Sequence, residues 1–241
     1  MQITLTNFFM EIAYSFNMGT ARVTVQHRVE YAVGIDWLHK AYLSVLNGRK
    51  DSASETEQVG FFEHKPVYTL GARANRTNLI RPENELAAPL VQTSRGGDIT
   101  FHGPGQIVCY PVFDLNSRQV KIGEYIRALE SVIITSLRTI GLNPKRKANL
   151  PGVWIGENKI AALGVRLRNG ISQHGFAINV STDLGWYESI IPCGIKNYGV
   201  TSVEKLGVKI EFDELIECLA AKLFSYFGIH CHTPLETVRY S

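Results

Sequence analysis

Cys193 lies between Pro192 and Gly194 in the segment IIPCGIKNYGVTS, where a nucleophile could work. A proline on one side and a glycine on the other favour a turn over a strand interior, and turns can present a side chain to a partner. Sulfur attacks as the thiolate, and an ordinary cysteine, with pKa about 8.5, needs a base or a cation close by. The other three cysteines have blander settings. Cys109 sits in the apolar run IVCYPVF, Cys218 in a helical pattern and Cys231 near the C-terminus. Cys109 and Cys218 read as small buried hydrophobes.

Lys159 is a candidate base. It opens a strand-like run, followed by Ile160, Ala161, Ala162, Leu163 and Gly164. Small residues leave room beside a sheet, which an alkyl chain could fill. An ammonium against such a surface loses hydration and releases its proton more readily. The alternative is a strand-end lysine reaching solvent, the commoner fate of Lys. In the returning run, His174-Gly175-Phe176-Ala177 repeats the pairing of bulky with small residues. Taken singly, His174 reads as a satisfied core histidine.

The segment RGGDITFHGPGQ, Arg95 to Gln106, carries four glycines and a proline in 12 residues. That excludes a regular helix and lets backbone approach a ligand closely. No Gly-Lys-Ser/Thr follows, so it is neither a P-loop nor the dinucleotide fingerprint. His102 and Gln106 would sit at the edge of whatever the loop holds; a purely structural turn is the competing reading. His230-Cys231-His232 could offer two ligands on one strand face, but no second pair completes a site, so no metal is expected.

These residues need a frame. Tyr31, Ile35, Leu38, Tyr42, Val45 and Leu46 have helical spacing, with Gly48 as the expected left-handed stop. Ile122, Tyr125, Ile126, Leu129, Ile133, Leu137 and Ile140 mark a second helix, ended by Gly141, and Phe212 to Phe227 a third, with Asp213 as N-cap and Gly228 after it. Thr201-Ser202-Val203-Glu204 matches a capping box. Strands are expected at Val59–Phe62, Pro66–Leu70 and the three runs VWIG, KIAALGVRLR and SQHGFAINV. Asn169-Gly170 between the last two signals a hairpin. Helices mixed with hairpins imply an α+β domain, helices packed on a mixed sheet.

With 241 residues, 45% hydrophobic and 20% charged, the chain suits one soluble domain. A net charge of +3, with Lys145-Arg146-Lys147 the densest basic run, argues against nucleic acid. The run reads as a solvated loop, or as a face toward an acidic carrier. No apolar run nears the roughly 20 residues that span a bilayer. Scattered cysteines and no apparent signal peptide point to a reducing, cytoplasmic setting. Residues 1–20 are expected to lie outside the domain, with Met18 a possible first residue, and 21–241 to form it.

Together, EHKPVYTLG, RGGDITFHGPGQ, PGVWIGENKIAALGVRLRNGISQHGFAINV and IIPCGIKNYGVTS give the chain its likeness. From about Val29 to Gly207 it resembles the lipoyl(octanoyl) transferases, which move octanoyl from a carrier protein to a protein lysine. The resemblance implies the biotin/lipoate protein ligase fold, Cys193 as the acyl-thioester nucleophile and Lys159 as the residue that activates it. It makes Arg95, Gly96, Gly97, Asp98, Ile99, Thr100, Phe101 and His102 the acyl-substrate loop, with Ala162, Leu163, Gly164, Gly175, Phe176 and Ala177 as further substrate-binding stretches. It implies octanoyl-acyl carrier protein as donor, lipoyl domains of 2-oxoacid dehydrogenase complexes and the glycine-cleavage H protein as acceptors, and no cofactor. An ATP-dependent ligase on the same fold and a non-catalytic acyl-binding module are the alternatives.

Overall fold

The computed structural model describes residues 10–16, 19–49, 56–195 and 198–228. The helices are α1 (Tyr31–Gly48), α2 (Ile122–Thr139) and α3 (Phe212–Tyr226). The strands are β1 (Met10–Phe16), β2 (Gly19–Val29), β3 (Thr56–His64), β4 (Val67–Leu70), β5 (Leu90–Gln92) and β6 (Ile99–His102). They continue with β7 (Gln106–Val112), β8 (Lys145–Lys147), β9 (Leu150–Ile155), β10 (Asn158–Arg168), β11 (Ile171–Asn179) and β12 (Gly199–Val200).

The main sheet runs β1-β2-β3-β7-β11-β10-β9-β8, with β12 paired to β10. It is antiparallel except where β2 meets β3 and β10 meets β12. The β2–β3 pair is parallel because the chain crosses over through α1, as parallel neighbours require. Alternation along the central strands divides the core. Phe61, Ile107 and Cys109 face α2 and α3, while Phe62, Val108 and Tyr110 face α1. A second sheet, β5-β4-β6, packs its own apolar cluster against Trp186, Tyr187 and Ile190. The mixed sheet with packed helices is the α+β arrangement expected.

The Asn169-Gly170 turn has φ of 50° and 75°, as the hairpin requires, and joins β10 to β11. Gly141 ends the α2 region in the left-handed conformation. Two expectations need correction. Gly48 is the last residue of α1, not a left-handed cap: Arg49 continues right-handed, its guanidinium held by both oxygens of Asp114 at 2.6 and 2.7 Å. Asp213 lies inside the first turn of α3, after Glu211, and its carboxylate meets His27 at 3.1 Å. Met10–Phe16 forms the edge strand of the main sheet, and β2 starts at Gly19.

At residues 201–204 the cap is shifted. Ser202 Oγ accepts from the N–H of Lys205 at 3.1 Å and starts a single 3-10 turn. The basic run is neutralised at home: Arg146 pairs with Glu130 at 2.8 Å, and Lys147 pairs with Glu157 at 2.7 Å.

Strand β6 alternates as well. Thr100 and His102 face the main sheet, whereas Ile99 and Phe101 are fully buried in the small sheet's own cluster. The Phe101 ring stacks on Trp186 at 4.9 Å, 8° from parallel. Replacing Phe101 by Ala should therefore cost about 3–5 kcal/mol of stability, as other large core truncations do. Urea unfolding measures it; a loss below about 1 kcal/mol would mean the ring does not hold the small sheet.

Candidate active site

β10 and β11 pair so that Ala162 lies opposite Ala177, Leu163 opposite Phe176 and Gly164 opposite Gly175. These six residues form one wall of a narrow cleft. Arg95, Gly97, Asp98, Thr100, His102 and Cys193 also line it. Four segments far apart in sequence thus meet. Lys159 lines a smaller adjoining cavity whose boundary Cys193, Thr100, Ala162 and Ala177 share with the cleft. Of the expected substrate residues, Gly96, Ile99 and Phe101 do not line the cleft. Ile99 and Phe101 point to the other side of β6, and Gly96 serves as a backbone joint.

The loop before β6 is held by its carbonyls. Those of Arg95, Gly97 and Asp98 accept from the N–H groups of Ala72, Arg73 and Gly71 at 2.8, 3.3 and 3.3 Å. The Gly96 N–H donates to Val165 of β10 at 3.2 Å. The contact is close enough that a Cβ on Gly71 would lie 2.3 Å from the Gly97 oxygen, and Gly97 itself has φ of 90°. Glycine is needed at both positions.

Arg95 crosses β10 at Gly164, where a Cβ would come within 3.1 Å of its stem. Its guanidinium is buried. It donates to the Thr69 carbonyl at 2.7 Å, to Thr69 Oγ1 at 2.9 Å and to the Gly96 carbonyl at 3.1 Å. Burial works against this charge, but a guanidinium stays protonated in proteins. The cleft is therefore lined by both a fixed cation and Cys193.

Asp98 was expected to touch substrate, and it also has a structural task. One oxygen accepts from Asn78 Nδ2 at 2.6 Å; the other accepts from the N–H groups of Asn75 and Ile99 at 3.0 and 2.7 Å. Asn78 in turn accepts the Ile191 N–H at 2.7 Å, which ties the Cys193 turn to the loop. Cys193 is half-buried and has φ of 57° and ψ of 18°, left-handed for a residue with a Cβ. The N–H groups of Gly194 and Ile195 close the turn onto Ile191 and Pro192 at 3.0 and 3.1 Å. The chain then reaches β12, which pairs with Asn158 and Lys159.

Lys159 does not reach solvent; only 6% of it is exposed. Its stem passes Gly152, where a Cβ would lie 3.1 Å from Cε, and its ammonium sits 4.8 Å from the Trp154 ring centre. An aromatic face offers a cation partial compensation for lost water.

Two buried histidines, His102 and His174, line the cleft, and a third, His64, packs edge-on against His102 and Tyr31. His102 donates from Nδ1 to Gln106 Oε1 at 2.7 Å. The direction follows because the Gln106 amide nitrogen donates elsewhere, to Asn179 Oδ1 at 2.9 Å and the Tyr187 hydroxyl at 3.0 Å. His102 Nε2 therefore carries a lone pair. Burial first, then the Arg95 charge, push His102 and His174 down to about 3, and burial pushes His64 down to about 4. All three are neutral at pH 7. Tyr31, Tyr110 and His174 line the cleft too, and Thr69 and Asn78 position its walls. Tyr31 had read as the first residue of a helix stripe and His174 as core; no local pattern separates a core ring from one bordering a cavity. Among the described residues no cluster of three potential ligands could hold a metal ion; His230-Cys231-His232 lie outside them.

The neutral histidines make stability acid-sensitive. The unfolded chain binds their protons below pH 6.5, while the native state takes them up only near pH 4 to 3. Their contribution is complete above pH 6.5 and is lost as the pH falls toward 4. Each should remove about 1.4 kcal/mol per pH unit there. Urea midpoints from pH 7 to 4.5 should fall steeply and show less slope in His64→Gln. Equal slopes would mean that His64 titrates alike in both states.

Comparison with known proteins agrees with this geometry. Residues 41–224 match the lipoyl protein ligase A/B catalytic domain. An octanoyltransferase of Clostridium kluyveri is 38% identical over 192 residues, 78% of this chain and 80% of that protein. One of Thermoanaerobacter sp. is 40% identical over 205 residues, 84% and 88% of the two chains. Lipoate-protein ligase A bound with ATP superposes with a TM-score of 0.67 at 18% identity, covering 89% of this chain and 87% of that one. A bipartite lipoate protein ligase of Thermoplasma acidophilum gives 0.63 at 17%, covering 89% and 85%. At such identities the superpositions speak for the biotin/lipoate ligase fold. The family match and the close relatives go further: the chain belongs to the lipoyl protein ligase A/B catalytic family.

Proposed function

We propose that the chain transfers an octanoyl group from octanoyl-acyl carrier protein, through a thioester on Cys193, to the ε-amine of a lipoyl-domain lysine, an early step in building protein-bound lipoate. The observation that carries this reading is the shared boundary of Cys193: on one side the buried Lys159, on the other a cleft walled by Ala162, Gly164, Gly175 and Ala177. A nucleophile with a base behind it and a narrow cleft walled by small residues ahead suits acyl transfer from a thioester.

In the first half-reaction the Cys193 sulfur attacks the acyl carbonyl carbon, and the carbon–sulfur bond to the carrier's pantetheine arm breaks. Lys159, entering the step as the neutral amine, takes the Cys193 proton, becomes the ammonium beside the Trp154 ring, and returns the proton to the departing pantetheine thiol. One thioester replaces another, so no ATP is required. In the second half-reaction the acceptor amine attacks the same carbon; a C–N bond forms and the bond to Cys193 breaks. Lys159 moves the amine proton to the leaving sulfur. Amide formation from a thioester runs downhill. The Arg95 guanidinium adds positive potential where sulfur and carbonyl oxygen carry negative charge.

Lipoyl domains of 2-oxoacid dehydrogenase complexes and the glycine-cleavage H protein are the acceptors this chemistry fits. The described cysteines, Cys109, Cys193 and Cys218, are free, as a reducing cytoplasm would keep them. No described helix is long and apolar enough to cross a membrane.

Incubation with octanoyl-acyl carrier protein in the absence of ATP should add one octanoyl mass, which hydroxylamine removes and Cys193→Ala lacks. Lys159→Met should slow loading by about 100-fold or more while leaving the thiol in place. An adduct that persists in Cys193→Ala would sink the assignment. Activity that demands ATP would point instead to an adenylate-forming ligase, and donor binding without an adduct to a non-catalytic acyl-binding module.

A further inference from the structure

Three cavities among the described residues lie in order along β10 and β11. Lys159 and Asn179 line the first, Ala162 to Gly164 and Gly175 to Ala177 the cleft, and Arg166, Arg168 and Gln173 a wide groove beyond it. That groove holds about 690 Å³ against about 40 Å³ for the cleft, and Ile35, Val67, Pro89 and Val91 give it apolar walls. Tyr31 and His174 border both spaces.

Both rings are tethered to consecutive residues. The Tyr31 hydroxyl donates to Thr93 Oγ1 at 3.3 Å, and His174 Nε2 shares a hydrogen bond with Ser94 Oγ at 3.2 Å. The Tyr31 ring also stacks on His102 at 6.1 Å and meets His64 edge-on at 5.2 Å. His174 has a φ of 57° inside a strand, and Gly175 beside it lies so near β7 that a Cβ would sit 2.2 Å from the Cys109 oxygen. The partition is built, not incidental packing.

The length of the cleft is informative. Cys193 and Ala177 both line the cleft and the Lys159 cavity, and His174 lies three residues from Ala177 along β11, about 10 Å at a rise of roughly 3.3 Å per residue. An extended eight-carbon acyl chain spans about 9 Å, given C–C bonds of about 1.5 Å. We propose that Tyr31 and His174 form the end wall that limits the acyl chain to about eight carbons, and that the groove behind them would admit longer chains once the wall is removed. The inference rests on the acyl-transfer reading for its direction, with the carbonyl at Cys193.

Free fatty acids test it without the transfer chemistry. By calorimetry, the unaltered protein should bind more tightly by about fourfold per methylene up to octanoate, then lose affinity from decanoate onward. Tyr31→Ala should keep gaining through dodecanoate, by about tenfold or more over the unaltered protein at that length. Adding Val91→Trp should narrow the groove beyond the removed wall and weaken dodecanoate binding again. If Tyr31→Ala does not fold, Tyr31→Leu should move the cut-off by one or two carbons. An unchanged cut-off in the folded variants, dodecanoate binding that survives Val91→Trp, or no length limit or no binding in the unaltered protein overturns the proposal. Failure of the transfer reading shows separately, as a missing thioester on Cys193.

Discussion

A guanidinium removed from water is tolerated only if its N–H groups find acceptors, and the site is organised around meeting that demand for Arg95. Thr69 supplies two oxygens from the small sheet and Gly96 a third, while Gly164 gives the stem space to cross the main sheet. The two sheets are thus joined through one side chain, and the cleft is the space between them that it spans. The same charge helps keep His102 and His174 neutral. A neutral His102 can hold Gln106 in one orientation, and Gln106 reaches Asn179 and Tyr187 beside the Lys159 cavity.

The cleft exists because β10 and β11 give up side-chain volume where their neighbours keep it. Ala162 faces Ala177 and Gly164 faces Gly175, whereas the central strands elsewhere carry Phe61, Ile107 and Tyr110. Unfilled apolar space forfeits dispersion contacts, so such a patch weakens the core unless something occupies it. An acyl chain would restore those contacts. Backbone accuracy replaces the missing side-chain packing: the loop carbonyls are bonded to residues 71–73, and the Cys193 turn is bonded to Asn78.

Much of this was legible in the sequence, and the remainder divides by physical cause. The Asn169-Gly170 hairpin, the α2 stripe and the glycine-rich loop announce themselves because local backbone chemistry determines them. Cys193 and Lys159 could be singled out by composition, but their meeting depends on β12 pairing with β10, a contact that no local pattern contains. Ile99 and Phe101 look like part of the loop until alternation along β6 is known; both faces of that strand are buried, so hydrophobicity cannot tell them apart. Gly48 and Asp213 suit the capping roles expected of them, yet Asp114, which holds Arg49, and His27, which meets Asp213, are partners distant in sequence that override local preference. Tyr31 is missed because a ring closing a cavity and a ring filling a core have the same helical spacing.

Backbone strain marks the same boundaries independently. Among the described residues, six without glycine's freedom have positive φ, and two of them, Cys193 and His174, line the cleft near its opposite ends. Arg28, Gln119, Asn149 and Asn169 lie outside it. Left-handed backbone at a residue with a Cβ costs about 1–3 kcal/mol and persists only where surrounding contacts over-determine it. At Cys193 those contacts are the turn's own hydrogen bonds and the tie from Ile191 to Asn78; at His174 they are the bond to Ser94 and the close approach of Gly175 to β7. A strand residue in ordinary extended geometry would send its side chain along the regular alternation. The departure at His174 re-aims a ring that the pleat alone would not direct to the junction of cleft and groove. That both exceptions in the cleft fall at its boundaries fits a cavity whose length is fixed by the backbone at each end.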